Sequence, residues 1–169
     1  MIPSTRLAQP VRALGLQDQL VVKSIVKNTK KIGNLTELQC ATRLYELNCA
    51  VSIPFGNSEK YDLIIDWDNK LYKVQIKHAN VHYDENQNED YLTIECRWHG
   101  HNMQGYTHNK YTEQDVDFFA TFYNNECYLI PLKECSNLKT LRIKPPKNNQ
   151  KNGICFLEDY KASEVLKQL

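Results

Sequence analysis

Residues 61–77 read YDLIIDWDNKLYKVQIK, two alternating apolar runs on either side of Asp68-Asn69. No other stretch limits the fold of the chain so tightly. A short polar dipeptide between runs rich in Ile, Val and aromatics predicts a β-hairpin with a two-residue loop. With Asp68 and Asn69 as that loop, Trp67 faces Lys70, Ile65 faces Tyr72, Ile64 faces Lys73, Leu63 faces Val74 and Asp62 faces Gln75. Directly opposed residues project to the same side of a sheet. One face therefore carries Leu63, Ile65, Tyr72, Val74 and Ile76, and the other carries Asp62, Ile64, Lys73, Gln75 and Lys77. A slip of one residue would set apolar side chains against polar ones, so the pattern fixes the parity of the register.

The remaining elements are placed around this hairpin. Residues 34–48 are expected to form a helix, with Asn34 as cap and Glu37 at capping-box spacing. Cys40, Ala41, Leu44 and Leu47 would be its apolar stripe. Glu37 falls on the same arc as Ala41 and Leu44. It is either the capping-box partner or an inward carboxylate that needs a partner of its own. Further strands are expected at 50–55, 91–98, 118–123 and 127–132, the last two joined through Asn124-Asn125-Glu126. A short strand is expected at 140–144. Residues 84–90 and 99–111 read as polar loops, Thr112 opens a helical turn with Asp115 at cap spacing, and 159–169 closes the chain as a helix. Residues 1–28 are weakly patterned and read as an extension, with a short helix in LQDQLVVKSIVKN, and 29–169 as one domain. The order of elements predicts an α/β or α+β fold built on a mixed central sheet flanked by helices.

Composition removes several classes of protein. With 41% hydrophobic and 24% charged residues in 169, the chain has enough apolar material for one real core. No run of apolar residues is long enough to cross a bilayer, and the arginine-bearing N-terminus lacks the apolar stretch of a secretory signal. Six cysteines without a C-x-x-C pair fit a reduced, cytoplasmic protein. The net charge of +1 conceals segregation. Arg6, Arg12, Lys23, Lys27, Lys30 and Lys31 crowd the first 31 residues, and Lys139, Arg142, Lys144, Lys147 and Lys151 lie in an acid-free run near the end. Such a distribution suits contact with phosphates on one face.

Asp62, Gln75 and Lys77 are the residues with chemistry to offer. Acid, amide and lysine side by side on a strand pair can hold a divalent metal next to a lysine-polarised water, which is a usable arrangement for cleaving a phosphodiester. A merely solvated outer face explains any one of them, but less readily all three beside Ile64. Cys96, His99, His101 and His108 do not make the two tight ligand pairs of a zinc site, so they read as a polar loop able to touch substrate. His78 falls on the opposite face from Lys77 and reads as structural.

An acid in an N-terminal helix, an Asp opening the second strand and an acid-x-Lys on the third is the layout of PD-(D/E)XK nucleases. The stretch GNLTELQCATRLYELNCAVSIPFGNSEKYDLIIDWDNKLYKVQIK resembles the compact branch typified by group I intron-encoded homing endonucleases of cyanobacterial type. The likeness continues through NKYTEQDVDFFATFYNNECYLIPL and LRIKPPKNNQ, roughly residues 29–150. The resemblance implies a restriction-endonuclease-like core and metal-dependent DNA cleavage, with Glu37, Asp62, Gln75 and Lys77 as the catalytic set. It implies Mg²⁺, with Mn²⁺ as a substitute, held by Asp62, Gln75, the carbonyl of Ile76 and Glu37. Ser58, Lys60, Arg142, Lys144, Lys147 and Lys151 would follow the DNA backbone. Double-stranded DNA is the implied partner and a homodimer or homotetramer the implied assembly. Two departures stand out: Tyr61-Asp62 replaces Pro-Asp, and Gln75 replaces the acid of the third strand, as in the homing-type branch. A Holliday-junction resolvase, a restriction-like nuclease and a catalytically silent DNA-binding protein of the same fold are the alternatives.

Overall fold

The computed structural model describes residues 28–56, 58–102, 105–145 and 152–169. The expected helix in the first 28 residues, and Lys147 and Lys151, lie outside them. Helix α1 (Thr29–Glu46) is followed by β1 (Ala50–Ser52), β2 (Leu63–Trp67), β3 (Lys70–Ile76), β4 (Asn80–Tyr83) and β5 (Glu89–Glu95). Then come β6 (Arg97–Asn102), β7 (Gly105–Lys110), β8 (Phe118–Tyr123), β9 (Glu126–Pro131), β10 (Leu138–Arg142) and α2 (Ala162–Leu166).

The β2–β3 hairpin has the expected register: Leu63 opposes Val74, Ile65 opposes Tyr72 and Trp67 opposes Lys70. Asp68 and Asn69 both adopt left-handed backbone, φ 51° and 61°, as a type I′ turn requires. The hairpin lies at the centre of a mixed sheet of order β1-β2-β3-β8-β9, in which β3 and β8 run parallel. Its apolar face meets α1. Cys40 and Leu44 pack on Leu63, Ile65, Val74 and Ile76, with Leu129 and the Val165 and Leu166 side chains of α2 completing the cluster. The opposite face of β8–β9 presents Phe119 and Ile130 to Leu92 and Ile94 of β5 and Leu141 of β10. These belong to a second sheet of order β10-β5-β4. A helix covers one face of the central sheet and a sheet covers the other. Each fully buried Leu, Ile or Phe contributes roughly 1.5–3 kcal/mol, so the central sheet is held from both sides.

Several expectations need correction. Helix α1 starts five residues earlier than Asn34. Its cap is Asn28, whose side-chain oxygen accepts from the amides of Lys30 and Lys31 at 3.0 and 3.3 Å. Gly33 is tolerated inside the helix, which disposes of the capping box at Glu37. The first strand stops at Ser52, leaving Ile53 and Phe55 exposed, because Pro54 removes an amide from the ladder. The expected 91–98 strand is two strands that part at Cys96, and β4 carried no clear apolar alternation. Residues 99–111 are not a loop: His99 and His108 oppose each other in the β6–β7 ribbon. The second hairpin turns on Asn124-Asn125 alone, φ 48° and 60°, with Glu126 already in β9. The turn at Thr112 is as expected, with its amide and hydroxyl both donating to Asp115 Oδ2 at 2.9 and 2.8 Å.

Candidate active site

Asp62 and Gln75 meet through their side chains beside the end of the hairpin's regular pairing. The amide of Asp62 donates to the carbonyl of Val74, the residue that opposes Leu63, at 3.0 Å, so Asp62 sits just past the last regular pair of the hairpin, within side-chain reach of Gln75. Asp62 Oδ2 then accepts two short hydrogen bonds of 2.6 Å, from Gln75 Nε2 and from the main-chain N–H of Ile76. The same Gln75 nitrogen donates to the Ile76 carbonyl at 3.3 Å. One amide nitrogen is therefore in contact with both of the oxygens that the sequence resemblance nominated beside it.

Lys77 continues the parallel pairing through its amide, which donates to the Ala120 carbonyl at 2.8 Å. Its Nζ turns the other way, donating to the Arg97 carbonyl at 3.2 Å and lying 5.3 Å from the centre of the Tyr111 ring. Burial lowers the Lys77 pKa, and the nearby Asp62, Cys96 and Glu95 oppose that shift. Asp62 is raised above the usual carboxylate range. Burial is the cause, against the Ile76 and Gln75 hydrogen bonds and the Lys77 charge, which favour ionisation. Glu37 is raised too, by partial burial and then by the charge of Asp62. It reaches the site from α1, and together with Asp62, Ala41, Ile53, Leu63 and Ile76 it lines a cavity of about 230 Å³. A larger cavity of about 420 Å³ lies among Tyr72, Phe118, Leu132 and Tyr160 and includes none of the four cluster residues.

Other nominated residues are spread over the surface. Ser58 is exposed. Lys60 pairs with Asp115 at 2.9 Å and lies 5.4 Å from the Trp98 ring centre. Arg142 is on the second sheet, bound to Asp90 at 2.5 Å and 5.5 Å from the Tyr91 ring centre, and Lys144 is exposed just beyond it. His78 contacts the Thr36 hydroxyl of α1 at 3.3 Å, in keeping with a structural role. Thr36 was missed from sequence because a buried threonine on a helix gives no apolar signal. Arg97 was missed as well, because its contribution is a main-chain carbonyl, to which side-chain patterns are blind.

The donor set suits a hard divalent cation. The Asp62 charge raises the pKa of Glu37, and Asp62 Oδ1 has no hydrogen bond among the described residues. Glu37, Asp62, the Gln75 amide oxygen and the Ile76 carbonyl offer only oxygen, the ligand type that Mg²⁺ prefers. No group of three or more His, Cys, Asp or Glu able to hold a metal occurs among the described residues. Any ion here must draw on the amide and the carbonyl as well as on the acids.

A helix acid, a strand-opening aspartate and a lysine two residues beyond the third-strand position, set on a mixed sheet, define the architecture of a restriction-endonuclease-like nuclease. The family model for PD-(D/E)XK endonucleases matches residues 27–163, and the chain belongs to that family. Members of this kind act on DNA, and dependence on divalent metal is general to the fold. Among solved structures, the bacterial homing endonuclease I-Ssp6803I has a TM-score of 0.65 at 20% identity, over 83% of this chain and 95% of that one. No curated protein matches the chain.

Proposed function

We propose that this endonuclease cleaves both strands of duplex DNA as a Mg²⁺-dependent, homing-type enzyme, with Mn²⁺ able to substitute. The observation that carries the reading is the junction of Asp62, Gln75, Ile76 and Lys77 at one point on the central sheet, with Glu37 facing it from α1. The likeness to a homing endonuclease fold over most of both chains supports the biological class.

In this reading Asp62, Gln75 and the Ile76 carbonyl hold the cation, with Glu37 as second negative charge. The bound ion supplies Lewis-acid stabilisation of charge on a non-bridging phosphate oxygen. Asp62 is aimed by the Ile76 amide, which fixes one carboxylate oxygen and leaves the other for the cation. Lys77 orients the attacking water. Its burial favours the neutral amine more than in an exposed lysine, so it can also take the proton from that water. The Arg97 carbonyl and Tyr111 ring hold Nζ in place for that work. Hydrolysis would leave 5′-phosphate and 3′-hydroxyl ends. Reaching two strands calls for two sites, hence a homodimer or homotetramer. Six free cysteines support a reduced, cytoplasmic setting. Residues 1–28 would be an extension to a nuclease domain at 29–169.

The test is conversion of supercoiled plasmid to linear DNA by the purified protein with and without Mg²⁺. Activity that is lost in chelator, and lost in Asp62→Asn, is expected. Metal-independent cleavage, or full activity in that variant, would overturn the mechanism.

A further inference from the structure

Among the described residues, the β6–β7 ribbon pairs with neither of the other sheets. Such an isolated two-stranded element needs its own reasons to hold shape. It has them on one side. The ring of Trp98 lies over Gly100, where a Cβ would come within 2.9 Å of the ring and 2.8 Å of the Thr107 hydroxyl. Thr107 donates to the Gly100 carbonyl at 3.3 Å and accepts from Asn109 at 3.1 Å. That face is closed on itself and is anchored near Lys60, whose ammonium lies 5.4 Å from the Trp98 ring centre.

The other side has a different character. Register places Arg97 opposite Lys110 and His99 opposite His108, with the two imidazole rings 4.7 Å apart. His99, His108 and Lys110 are exposed. Residues 97–110 contain no acid. Glu95, just before the ribbon, is held by Arg97 at 2.5 Å and also feels the His99 and His108 charges, so its one negative charge is shared among three of the ribbon's donors. The ribbon's base is also the partner of Lys77, through the Arg97 carbonyl. Hydrogen-bond donors of Arg97, His99, His108 and Lys110 thus stand together on one face of the ribbon, beginning where the phosphodiester chemistry is proposed to occur.

We propose that the β6–β7 ribbon enters the major groove of duplex DNA beside the cut and reads base edges through His99, His108 and Lys110. A two-stranded ribbon fits that groove, where guanine N7 and O6 accept hydrogen bonds from such donors. Phosphate contacts alone carry no sequence information, so an enzyme selective for a target needs an element of this kind. The inference rests on the nuclease reading for its substrate but not for its test.

That test is selection of binding sequences from a pool of 30-base-pair duplexes with a randomised core, in Ca²⁺, using wild-type protein and His99→Ala/His108→Ala/Lys110→Ala. The expected result is a wild-type consensus, from which the variant loses at least tenfold discrimination at two or more adjacent positions. Its melting temperature should match that of wild type, and its affinity for unselected duplex should change less than threefold. Gly100→Ala, which crowds Trp98 and Thr107, should blur the same positions. An unchanged consensus in the triple variant, or no consensus from wild type, would overturn the inference. Plasmid cleavage is scored separately: a ribbon-dependent consensus without cleavage would uphold the ribbon and sink the nuclease mechanism, and the converse would do the reverse.

Discussion

At the scale of residues, the site is a balance of two half-buried charges, Asp62 and Lys77, with Glu37 at its more exposed rim. Asp62, Glu37 and Lys77 are each shifted toward the neutral form, with burial as the largest cause. An acid whose folded pKa is raised gives stability that is complete below its unfolded value and is lost as pH rises through the folded value. Metal-free protein should therefore lose stability as pH climbs from below about 4 through the raised values of Asp62 and Glu37. Asp62→Asn removes that ionisation and keeps an oxygen for the Ile76 amide. In chelator at pH 7 its melting temperature is expected at or above that of wild type, while cleavage is abolished. Thermal unfolding beside a plasmid assay checks both, and a clear drop in melting temperature would show that the carboxylate is needed for the fold. Gln75 invites a second experiment. Its nitrogen touches Asp62 Oδ2 and the Ile76 carbonyl, and an N–H cannot ligate a cation, so the amide must turn before its oxygen can. Gln75→Glu should tighten Mg²⁺ binding in calorimetry, since a charge replaces a dipole and the donor is gone. Gln75→Ala should reduce turnover less than Asp62→Asn does. Weaker Mg²⁺ binding by Gln75→Glu would show that the amide is preferred for a reason other than charge.

At the scale of elements, legibility followed the apolar pattern. The β2–β3 hairpin could be read in full because alternation and a left-handed turn pair agreed, and its register alone predicted the contact between Asp62 and Gln75. The ribbon could not be read, because neither of its faces is buried against a sheet and its histidines, glycines and asparagines resemble loop composition. The start of α1 was misplaced because Gly33-Asn34 reads as a boundary, although Asn28 makes the cap. That error had consequences for Glu37, which the correct cap frees to face Asp62. Asn28→Ala is expected to cost about 1 kcal/mol of stability, as loss of a good N-cap does. Asn34→Ala, in the exposed interior of the helix, should be neutral or slightly stabilising. Urea unfolding of the two variants decides which asparagine is the cap, and the reverse order would put the helix start back at residue 34.

Across the whole molecule, the question is which positive charges remain for DNA. All three arginines in the described residues are engaged: Arg43 with Glu126 at 2.8 Å, Arg97 with Glu95 and Arg142 with Asp90, both at 2.5 Å. A half-buried ion pair of this sort cancels charge that would otherwise meet a phosphate. With a net charge of only +1, affinity cannot come from a uniformly positive surface. It would come from local groups, here proposed to be the ribbon and the run Lys144, Lys147 and Lys151, which has no acid within it, beside the basic first 31 residues. Each phosphate neutralised contributes a slope of roughly −0.9 in log affinity against log salt. If the three lysines each meet one phosphate, Lys144→Glu/Lys147→Glu/Lys151→Glu should flatten the slope by about 2.7. Affinity should fall by an amount that is largest at low salt, with little change in the sequence preference. The ribbon variant should do the opposite, blurring preference while moving the slope by no more than the single charge of Lys110. Measuring equilibrium binding of one duplex from 50 to 300 mM salt, for both variants, separates the two contributions. An unchanged slope after reversing all three lysines would place the phosphate contacts elsewhere, and Asp90→Asn, which uncovers the Arg142 charge, would be the next variant to measure.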